Sequence, residues 1–535
     1  MTNPTREFDY LVLGGGSAGS AVASRLTEDP SVTLCLLEAG DRGNDRVIET
    51  PLAGALMVPT KLHNWAFETV PQPGLDGRRG YQPRGRTLGG SSAINAMIYV
   101  RGHRWDYDHW AALGATGWSF AEVLPYFKRS ENNETFEDEL HGRGGPLNVS
   151  WPRSDNPWPG YFLDAATEAQ FRSNGDFNGP EQEGFGLYQV TQKNGERWSA
   201  ARAYLHPHIG KRANLAVECG ARVRRILIEN GRAVGAEVSQ AGEVRIYRAR
   251  REVIVSAGAL QSPQILMLSG IGDAGELKAH GIEVVHHLPG VGANLQDHPD
   301  FVFGYKAKSL DLLGLSLSGT ARIFKEILRF RRERRGMVTS NFAEAGGFFR
   351  SRPELEIPDI QIHFIVAIVE NHARRQRLGH GFSTHFCLLR PKSRGTLKLA
   401  SADPMAAPLI DPAFLTHPDD LADMVAGFKA TRRIMDAPAL ASRRDRDLYT
   451  SEVRSDDEIR AVLRARVDTV YHPVGTCRMG VDDGAVVTPE LKVRGIAGLR
   501  VVDASIMPTL IGGNTNAPCM MIGEKAADMI RASAA

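Results

Sequence analysis

A glycine-rich turn near the amino terminus restricts what this chain can fold into more than any other feature. The β-branched and aromatic run at residues 8–13 predicts a buried strand, and it ends at Gly14. Gly14, Gly16 and Gly19 follow the G-x-G-x-x-G spacing, and residues 20–26 have helical composition. In such a strand–turn–helix unit the glycines permit a tight turn, close approach of a pyrophosphate and close helix packing. The pattern therefore predicts a bound dinucleotide.

An acidic residue supports this interpretation. A second apolar run, residues 32–37, ends at Glu38. This acid lies roughly 20 residues beyond the glycines, where a carboxylate hydrogen-bonds a ribose hydroxyl. Glu38 therefore fits an adenosine without a 2′-phosphate. Purely structural turns can show the same glycine spacing, and the pattern does not distinguish NAD from FAD.

Composition and charge describe a globular, enzyme-sized protein. The 535 residues are 42% hydrophobic and 24% charged, with a formal net charge of +2, so nucleic-acid binding is not expected. Five scattered cysteines without a C-x-x-C pair predict neither a disulfide framework nor a metal site. The sequence shows no secretory signal and no apolar run of about 18 residues. We expect a cytoplasmic protein of about two to four domain-sized units.

Two longer motifs carry a family resemblance. Residues 84–95 read RGRTLGGSSAIN and residues 258–272 read GALQSPQILMLSGIG, and both closely resemble signatures of the glucose-methanol-choline (GMC) oxidoreductases. The similarity continues to GGNTNAP at residues 512–518. Stretches such as YHPVGT at residues 471–476 look most like bacterial medium-chain or polyethylene-glycol alcohol dehydrogenases and choline dehydrogenases. The resemblance implies an FAD-dependent enzyme that oxidises alcohols to aldehydes.

The resemblance also implies an α/β fold class, with an FAD-binding Rossmann-like domain and a discontinuous α+β substrate domain built on an antiparallel sheet. The first domain is expected to comprise residues 1–155, 195–310 and 466–535, and the second residues 156–194 and 311–465. Alternation at residues 360–364 predicts a half-buried strand in the second domain. The SDDE segment at residues 455–458 is a capping box that predicts a helix start.

A set of cofactor contacts follows from the resemblance. Gly89, Gly90 and Ser91 can present backbone N–H groups to a phosphate or a flavin edge. Ile94 stands where some family members attach FAD through a histidine, so non-covalent FAD is implied. Asp503 is expected beside the flavin phosphate and ribityl chain, although a strand-ending turn explains it as well. The full predicted set is Gly14, Gly16, Ser17, Gly19, Glu38, Ala39, Trp65, Arg86, Gly89, Gly90, Ser91, Asn95, Ala96, Val223, Ala257, Asp503 and Asn516.

His472 and Asn516 are the predicted catalytic residues. Alcohol oxidation requires a group of near-neutral pKa that takes the hydroxyl proton, which suits histidine, and Pro473 restricts His472 to extended geometry. Asn516 precedes a helical stretch and can hydrogen-bond the substrate oxygen. The resemblance places the family's catalytic histidine at His472 and its second catalytic position, His or Asn, at Asn516. The alternatives are a core histidine and a plain helix cap.

The substrate stays open between two kinds of alcohol. A quaternary ammonium favours aromatic faces and a carboxylate, but all seven tryptophans precede residue 199. This favours a medium-chain alkanol or an ether alcohol such as polyethylene glycol. Asp300 lies where choline-handling relatives carry an acid, so a choline dehydrogenase that forms betaine aldehyde is the alternative. A non-redox FAD-containing lyase and a silent flavin-binding protein are alternatives of other classes, and oxidase activity is not distinguished from dehydrogenase activity.

A basic segment suggests a further partner. From Arg322 to Arg335 the chain carries seven basic and two acidic side chains, a net charge of +5. An apolar side at roughly helical spacing is formed by Ile323, Phe324, Ile327, Leu328 and Phe330. Such a helix can lie on the inner face of an anionic membrane, close to a quinone or another electron carrier. The alternative is a solvated amphipathic helix packed on its own domain.

Overall fold

The computed structural model describes residues 6–534, and a seven-stranded sheet contains the amino-terminal glycine turn. Its neighbouring strands are, in order, Leu215–Cys219, Leu34–Glu38, Arg6–Leu13, Glu243–Val255, Arg232–Gln240 and Ala221–Glu229, and Leu499–Val501 pairs with the end of the fourth. The first four strands and Leu499–Val501 run parallel, whereas the other two are antiparallel. Because the helix Ser17–Leu26 connects two of the parallel strands, this half of the sheet has the predicted Rossmann-like arrangement.

The glycine turn forms where parallel strands end together. Gly14 donates its N–H to the carbonyl oxygen of Leu37 at 2.8 Å. Its φ is +112°, and a Cβ at this position would lie 2.5 Å from the carbonyl oxygen of Ser256, so only glycine fits. A Cβ on Gly19 would lie 2.1 Å from the carbonyl oxygen of Gly14. The close contact of turn and helix therefore depends on both residues.

The second sheet is antiparallel, as predicted. Its main path is Arg446–Asp447, Pro299–Ala307, Gly379–Leu388, Ile360–Ile365, Ala345–Phe349 and Gly184–Leu187, with Gly314–Leu315 and Asp468–Thr469 at its sides. Ile360–Ile365 was expected to be half-buried, but both of its faces are covered. Ile360, Ile362 and Phe364 pack in an aromatic core with the helix Pro418–Asp436. The alternating polar residue His363 faces a large cavity instead.

The helices pack around these sheets. Ser455 and Glu458 form the predicted capping box, since the hydroxyl accepts from the Glu458 N–H and the carboxylate accepts from the Ser455 N–H. None of the helices within residues 6–534 has the length and apolar character needed to cross a bilayer. The α-helices are Ser17–Leu26, Arg46–Glu49, Gly54–Met57, Arg104–Ala112, Phe120–Ser130, Trp158–Glu168, Ser262–Leu268, Ala274–Ala279, Leu317–Glu333, Pro418–Asp436, Pro438–Ala441, Asp456–Arg466 and Asn516–Ala534.

Each sheet has its own apolar core, and the pairing of one strand crosses an expected domain limit. The strand Pro299–Ala307 pairs with Gly379–Leu388 from Asp300 to Ala307, although residues up to 310 were expected in the first domain. Asp468–Thr469 also pairs with Pro299–Ala307. We therefore propose that the second domain begins before Pro299 and that the chain returns to the first domain only after Thr469.

Candidate active site

A cavity of about 920 Å³ separates the two sheets. Its size is near the upper end of the usual range for small-molecule and cofactor sites, roughly 300–1,000 Å³. Most of the predicted site residues lie on its wall. They are Gly14, Gly16, Ser17, Glu38, Ala39, Trp65, Gly90, Ser91, Asn95, Ala96, Val223, Ala257, His472, Asp503 and Asn516.

Three predicted cofactor residues stand behind the wall. Gly19 packs the helix against Gly14. Gly89 has a φ of +90° and donates its N–H to the carbonyl oxygen of Gly15 at 2.7 Å. The guanidinium of Arg86 lies 4.7 Å from the centre of the Trp65 ring. These residues hold the lining in place.

Two glycine loops meet at one end of the cavity. Gly16 begins the helix Ser17–Leu26 without a side-chain cap, so the first N–H groups of that helix lack a side-chain acceptor. Gly90 approaches so closely that a Cβ on it would lie 2.8 Å from the Cα of Gly16. A helix amino terminus of this kind favours an anionic ligand such as a pyrophosphate.

Two buried carboxyl groups lie at the same end. Glu38 accepts hydrogen bonds from the N–H groups of Gly15 and Gly40, at 3.0 and 2.7 Å, and its burial raises its pKa to about 7. Asp503 accepts from the Gly258 N–H at 2.9 Å and from the Ser262 hydroxyl at 2.5 Å. Asp503 therefore ties two cavity-lining turns together through its side chain, while burial raises its pKa.

His472 lies at the opposite end, next to the antiparallel sheet. Tyr471, which precedes it, has a φ of +77°, and the His472 N–H donates to Asp297 Oδ1 at 2.8 Å. On the ring, Nδ1 lies 3.0 Å from His298 Nδ1, and Nε2 lies 3.2 Å from Asn514 Nδ2. Both ring nitrogens of His472 therefore have a defined partner.

These partners assign the tautomers of the two histidines. Burial lowers the pKa of His298 to about 3 and the pKa of His472 well below its ordinary value, so both rings are neutral. His298 Nε2 lies 3.1 Å from the carbonyl oxygens of Leu389 and Ile511, so it must carry the proton. His298 Nδ1 then accepts from His472 Nδ1–H. The remaining nitrogen, His472 Nε2, keeps its lone pair on the cavity side.

The structure brings Asn514 beside His472, and this differs from the predicted partner Asn516. Asn516 is the first residue of the helix Asn516–Ala534, and its Oδ1 accepts from the Ser17 hydroxyl at 2.8 Å. Asn514 lies before the helix and donates from Nδ2 toward His472 Nε2. Asn516 is predicted from the sequence because it stands at the start of the helix and because the family resemblance places the second catalytic position on it. The pairing with His472 depends on the path of the preceding loop, which the local sequence does not define.

Sequence reasoning also missed two histidines that lie directly opposite each other on adjacent strands. His363 and His385 pair in register between Ile360–Ile365 and Gly379–Leu388, and both line the cavity. Each strand also holds other polar residues, Gln361 in the first and Ser383 and Thr384 in the second, so the sequence pattern does not single out these histidines. His385 Nδ1 lies 2.6 Å from Asp300 Oδ2. Asp300 is thereby held behind His385, and within residues 6–534 the only carboxylates on the cavity wall are Glu38 and Asp503.

The parallel sheet, the paired glycine loops and a neutral histidine facing one shared cavity define a dinucleotide-dependent oxidoreductase class. The chain belongs to the GMC oxidoreductase family. The amino-terminal and carboxy-terminal family models, both described as GMC oxidoreductase, match residues 8–300 and 391–523. The predicted family is thus confirmed, and the protein is an FAD-dependent oxidoreductase that acts on alcohols.

Similar proteins agree with this family. An alcohol dehydrogenase [acceptor] of Pseudomonas putida is 48% identical over 98% of this chain and 95% of its own length. An oxygen-dependent choline dehydrogenase of Brucella anthropi is 43% identical over the same shares of the two chains. Among solved structures, pyridoxine 4-oxidase from Mesorbium loti has a TM-score of 0.87 at 31% identity and covers 97% of this chain and 98% of its own. The formate oxidase of Aspergillus oryzae RIB40 reaches 0.91 at 28% identity, with 99% of both chains covered.

The residues present fit FAD. Gly16 and Gly258 both line the cavity, and a Cβ on either would have at most one atom within 4 Å, so the backbone there is open to a ligand. The amino end of the helix Ser17–Leu26 suits the pyrophosphate, and the Glu38 carboxyl lies at the end of its strand, where a ribose binds in this fold. Trp65 adds an aromatic ring that contacts the guanidinium groups of Arg86 and Arg222.

Proposed function

We propose that the protein oxidises primary alkanols of medium chain length, or ether alcohols such as polyethylene glycol, to aldehydes. One observation carries this proposal: beyond the catalytic residues, the cavity wall on the side of the antiparallel sheet is mainly apolar and has no carboxylate. An alkyl or ether chain gains free energy when it leaves water for such a wall. The larger apolar residues there include Leu313, Leu315, Ile323, Ile327, Val338, Phe342, Ile365, Ile368 and Val369.

His472 is proposed as the base and Asn514 as the residue that orients the alcohol. The lone pair of His472 Nε2 receives the hydroxyl proton, and the positive charge that forms on the ring is shared through Nδ1–H with His298. The Asn514 amide, 3.2 Å from His472 Nε2, donates to the alcohol oxygen in the same place. FAD, when held by the glycine turns and Glu38, would supply the acceptor for the hydride that leaves the carbinol carbon. The buried site keeps competing water away from the base.

The cofactor is proposed to bind without a covalent bond. Ile94 lines the cavity, and its alkyl side chain offers no nucleophile to the flavin. The predicted cofactor residues remain our proposal for the FAD site. In this proposal Asn516 supports Ser17 and the glycine turn instead of the alcohol oxygen.

Choline is the second candidate because the Brucella relative is a choline dehydrogenase. A trimethylammonium group requires a nearby carboxylate or several aromatic faces to compensate for its desolvation. Asp300 is the acid in the corresponding region, but its Oδ2 is bonded to His385 and its side chain is absent from the cavity wall. This arrangement favours the alkanol over choline.

Anaerobic mixing of the holoenzyme with 1-octanol or with choline tests the proposal. We expect 1-octanol to bleach the flavin and choline to leave it oxidised. Bleaching by choline alone would contradict the alkanol assignment, and turnover with persistently oxidised flavin would indicate a lyase. Reoxidation of the bleached enzyme by oxygen or by a quinone analogue then identifies the electron acceptor, for which we propose a quinone or a similar carrier. The Pseudomonas relative is likewise named for an unspecified acceptor.

A further inference from the structure

An unusual apolar surface surrounds the opening of the cavity. Leu317, Leu378 and Phe324 are the most exposed large apolar side chains of the described residues, at 94, 78 and 67%. Leu56, Leu315 and Leu328 in the same region are also exposed. Single exposed apolar residues are common on soluble proteins, but a contiguous group marks an interaction site. We call these six residues the rim.

The fold joins the rim to the cavity from three chain segments. Leu315 forms a β-bridge with Leu378, and the helix Leu317–Glu333 begins two residues later. Leu56 and Leu315 line the cavity themselves. Because Leu56 and Leu315 are also exposed, the cavity reaches the protein surface at the rim.

The helix Leu317–Glu333 has two apolar sides with different environments. Ile323 and Ile327 line the cavity. Phe324 and Leu328 lie one turn apart on a neighbouring side that faces outward. Packing on its own domain explains only the first pair. The exposure of Phe324 and Leu328 therefore suits contact with a partner outside this chain.

The charged residues of the helix bear on whether a bilayer or a second copy of this chain covers the exposed apolar pair. Most arginines of the basic segment 322–335, which includes the end of this helix, are neutralised by this chain: Arg322 pairs with Asp311, and Arg329 and Arg335 pair with Asp155. The predicted attraction of the whole basic segment to a membrane is thus largely cancelled. Arg334 and Arg332 are paired too, with Glu196 and Glu333.

Two cations on this helix remain without a carboxylate partner among residues 6–534. Lys325 follows Phe324 directly, and Arg331 lies one turn beyond Leu328. Apolar side chains flanked by free cations suit the interface of a bilayer with anionic headgroups. A twofold contact between copies of this chain would bring the same free cations toward each other, which disfavours self-association.

We propose that the rim inserts into the surface of an anionic bilayer, so that the alcohol enters the cavity from the lipid. This inference rests on the proposed alkanol substrate, because such alcohols partition into membranes. The helix Leu317–Glu333 lies in the plane of the interface, with Phe324 and Leu328 toward the acyl chains. The opening bordered by Leu56 and Leu315 then faces the compartment in which the substrate concentrates.

Vesicle co-sedimentation of the holoenzyme tests the proposal. The probes are vesicles of phosphatidylcholine with phosphatidylglycerol, and vesicles of phosphatidylcholine alone. We expect the wild-type protein to bind the mixed vesicles, and the triple variant Leu317→Ser, Phe324→Ser, Leu328→Ser to bind them at least ~10-fold more weakly. The matched control is Leu113→Ser, Val285→Ser, Val481→Ser, which removes three exposed apolar side chains elsewhere and should bind like the wild type.

Further readouts separate the remaining outcomes. Lys325→Gln with Arg331→Gln should weaken binding to the mixed vesicles only. Wild-type protein that stays in solution, or a rim variant that binds as well as wild type, would overturn the proposal.

Light scattering that shows a wild-type dimer and a monomeric rim variant would assign the rim to self-association and overturn the proposal as well. Flavin bleaching by a water-soluble alkanol such as 1-butanol should be unchanged in the rim variant. If 1-butanol does not bleach the flavin of the wild-type protein, that result counts against the proposed alkanol oxidation and not against membrane binding.

Discussion

The two ends of the cavity are specified in different ways. At the cofactor end, Gly14, Gly16 and Gly19 act within one turn, and Glu38 lies at the end of the next strand. At the substrate end, His472, Asn514 and His298 come from distant parts of the chain and meet only through hydrogen bonds. A local motif can therefore be recognised directly in the sequence. A long-range constellation requires the path of the loops that connect it.

The largest expected effect comes from the cofactor end. Gly14→Ala places a Cβ against the Ser256 carbonyl in a backbone with φ of +112°, so we expect loss of most bound FAD and of measurable activity. The visible absorbance of the purified protein and its melting temperature report this. Gly77→Ala is the matched control, because Gly77 also has a positive φ but no atom within 4 Å of the added Cβ. Normal flavin content in Gly14→Ala would mean that the turn tolerates a side chain.

Loss of the proposed base should leave the cofactor end intact. His472→Ala is expected to lower turnover about 10²-fold or more, the usual scale for a general base, while FAD stays bound. Stopped-flow measurement of flavin reduction by 1-octanol checks this. Full activity in this variant would reject His472 as the base without affecting the assignment of the FAD site.

The pH dependence gives a second check of the same residue. The base must be neutral to accept a proton, and burial lowers the pKa of His472. Protonation then requires a lower pH than for an ordinary imidazole, so the plateau of kcat/KM should extend below about pH 6.5. A decline of kcat/KM on acidification that already begins above about pH 6.5 in the wild type, and is absent in His472→Ala, would contradict a neutral, desolvated ring.

Comparison of the two asparagines sharpens the contrast between the local motif and the long-range site. Asn514→Ala should lower kcat by about 10-fold, the scale of a lost hydrogen bond to a charged transition state. Asn516→Ala removes a bond to Ser17 and should act mainly on FAD affinity. Single-turnover flavin reduction and FAD titration separate these effects. The reverse result would restore Asn516 as the partner of His472.

The sequence therefore predicts some features of the molecule and not others. The family, the two sheet types, the glycine turn and the capping box at Ser455 follow from motifs and periodicity, and the structure agrees with them. Asn514 and Asn516 stand two residues apart in similar surroundings, and no periodicity distinguishes them. Pro299–Ala307 was expected in the first domain but belongs to the second sheet, because it pairs with Gly379–Leu388, more than 70 residues away. Such choices depend on tertiary contacts and not on local propensity.

The smallest expected effect concerns the apolar wall. Ile323→Val removes one methylene from the cavity lining, which is worth up to about 0.8 kcal/mol and so about 2–4-fold in KM for 1-octanol, with kcat unchanged. Phe324→Ser, the neighbouring change on the outward side, should leave KM unchanged for an alkanol supplied without lipid. Steady-state kinetics across alkanols of increasing length compares the two. Because Ile323 and Phe324 are adjacent in sequence but face different environments, equal effects from both would mean that the substrate chain does not contact this helix.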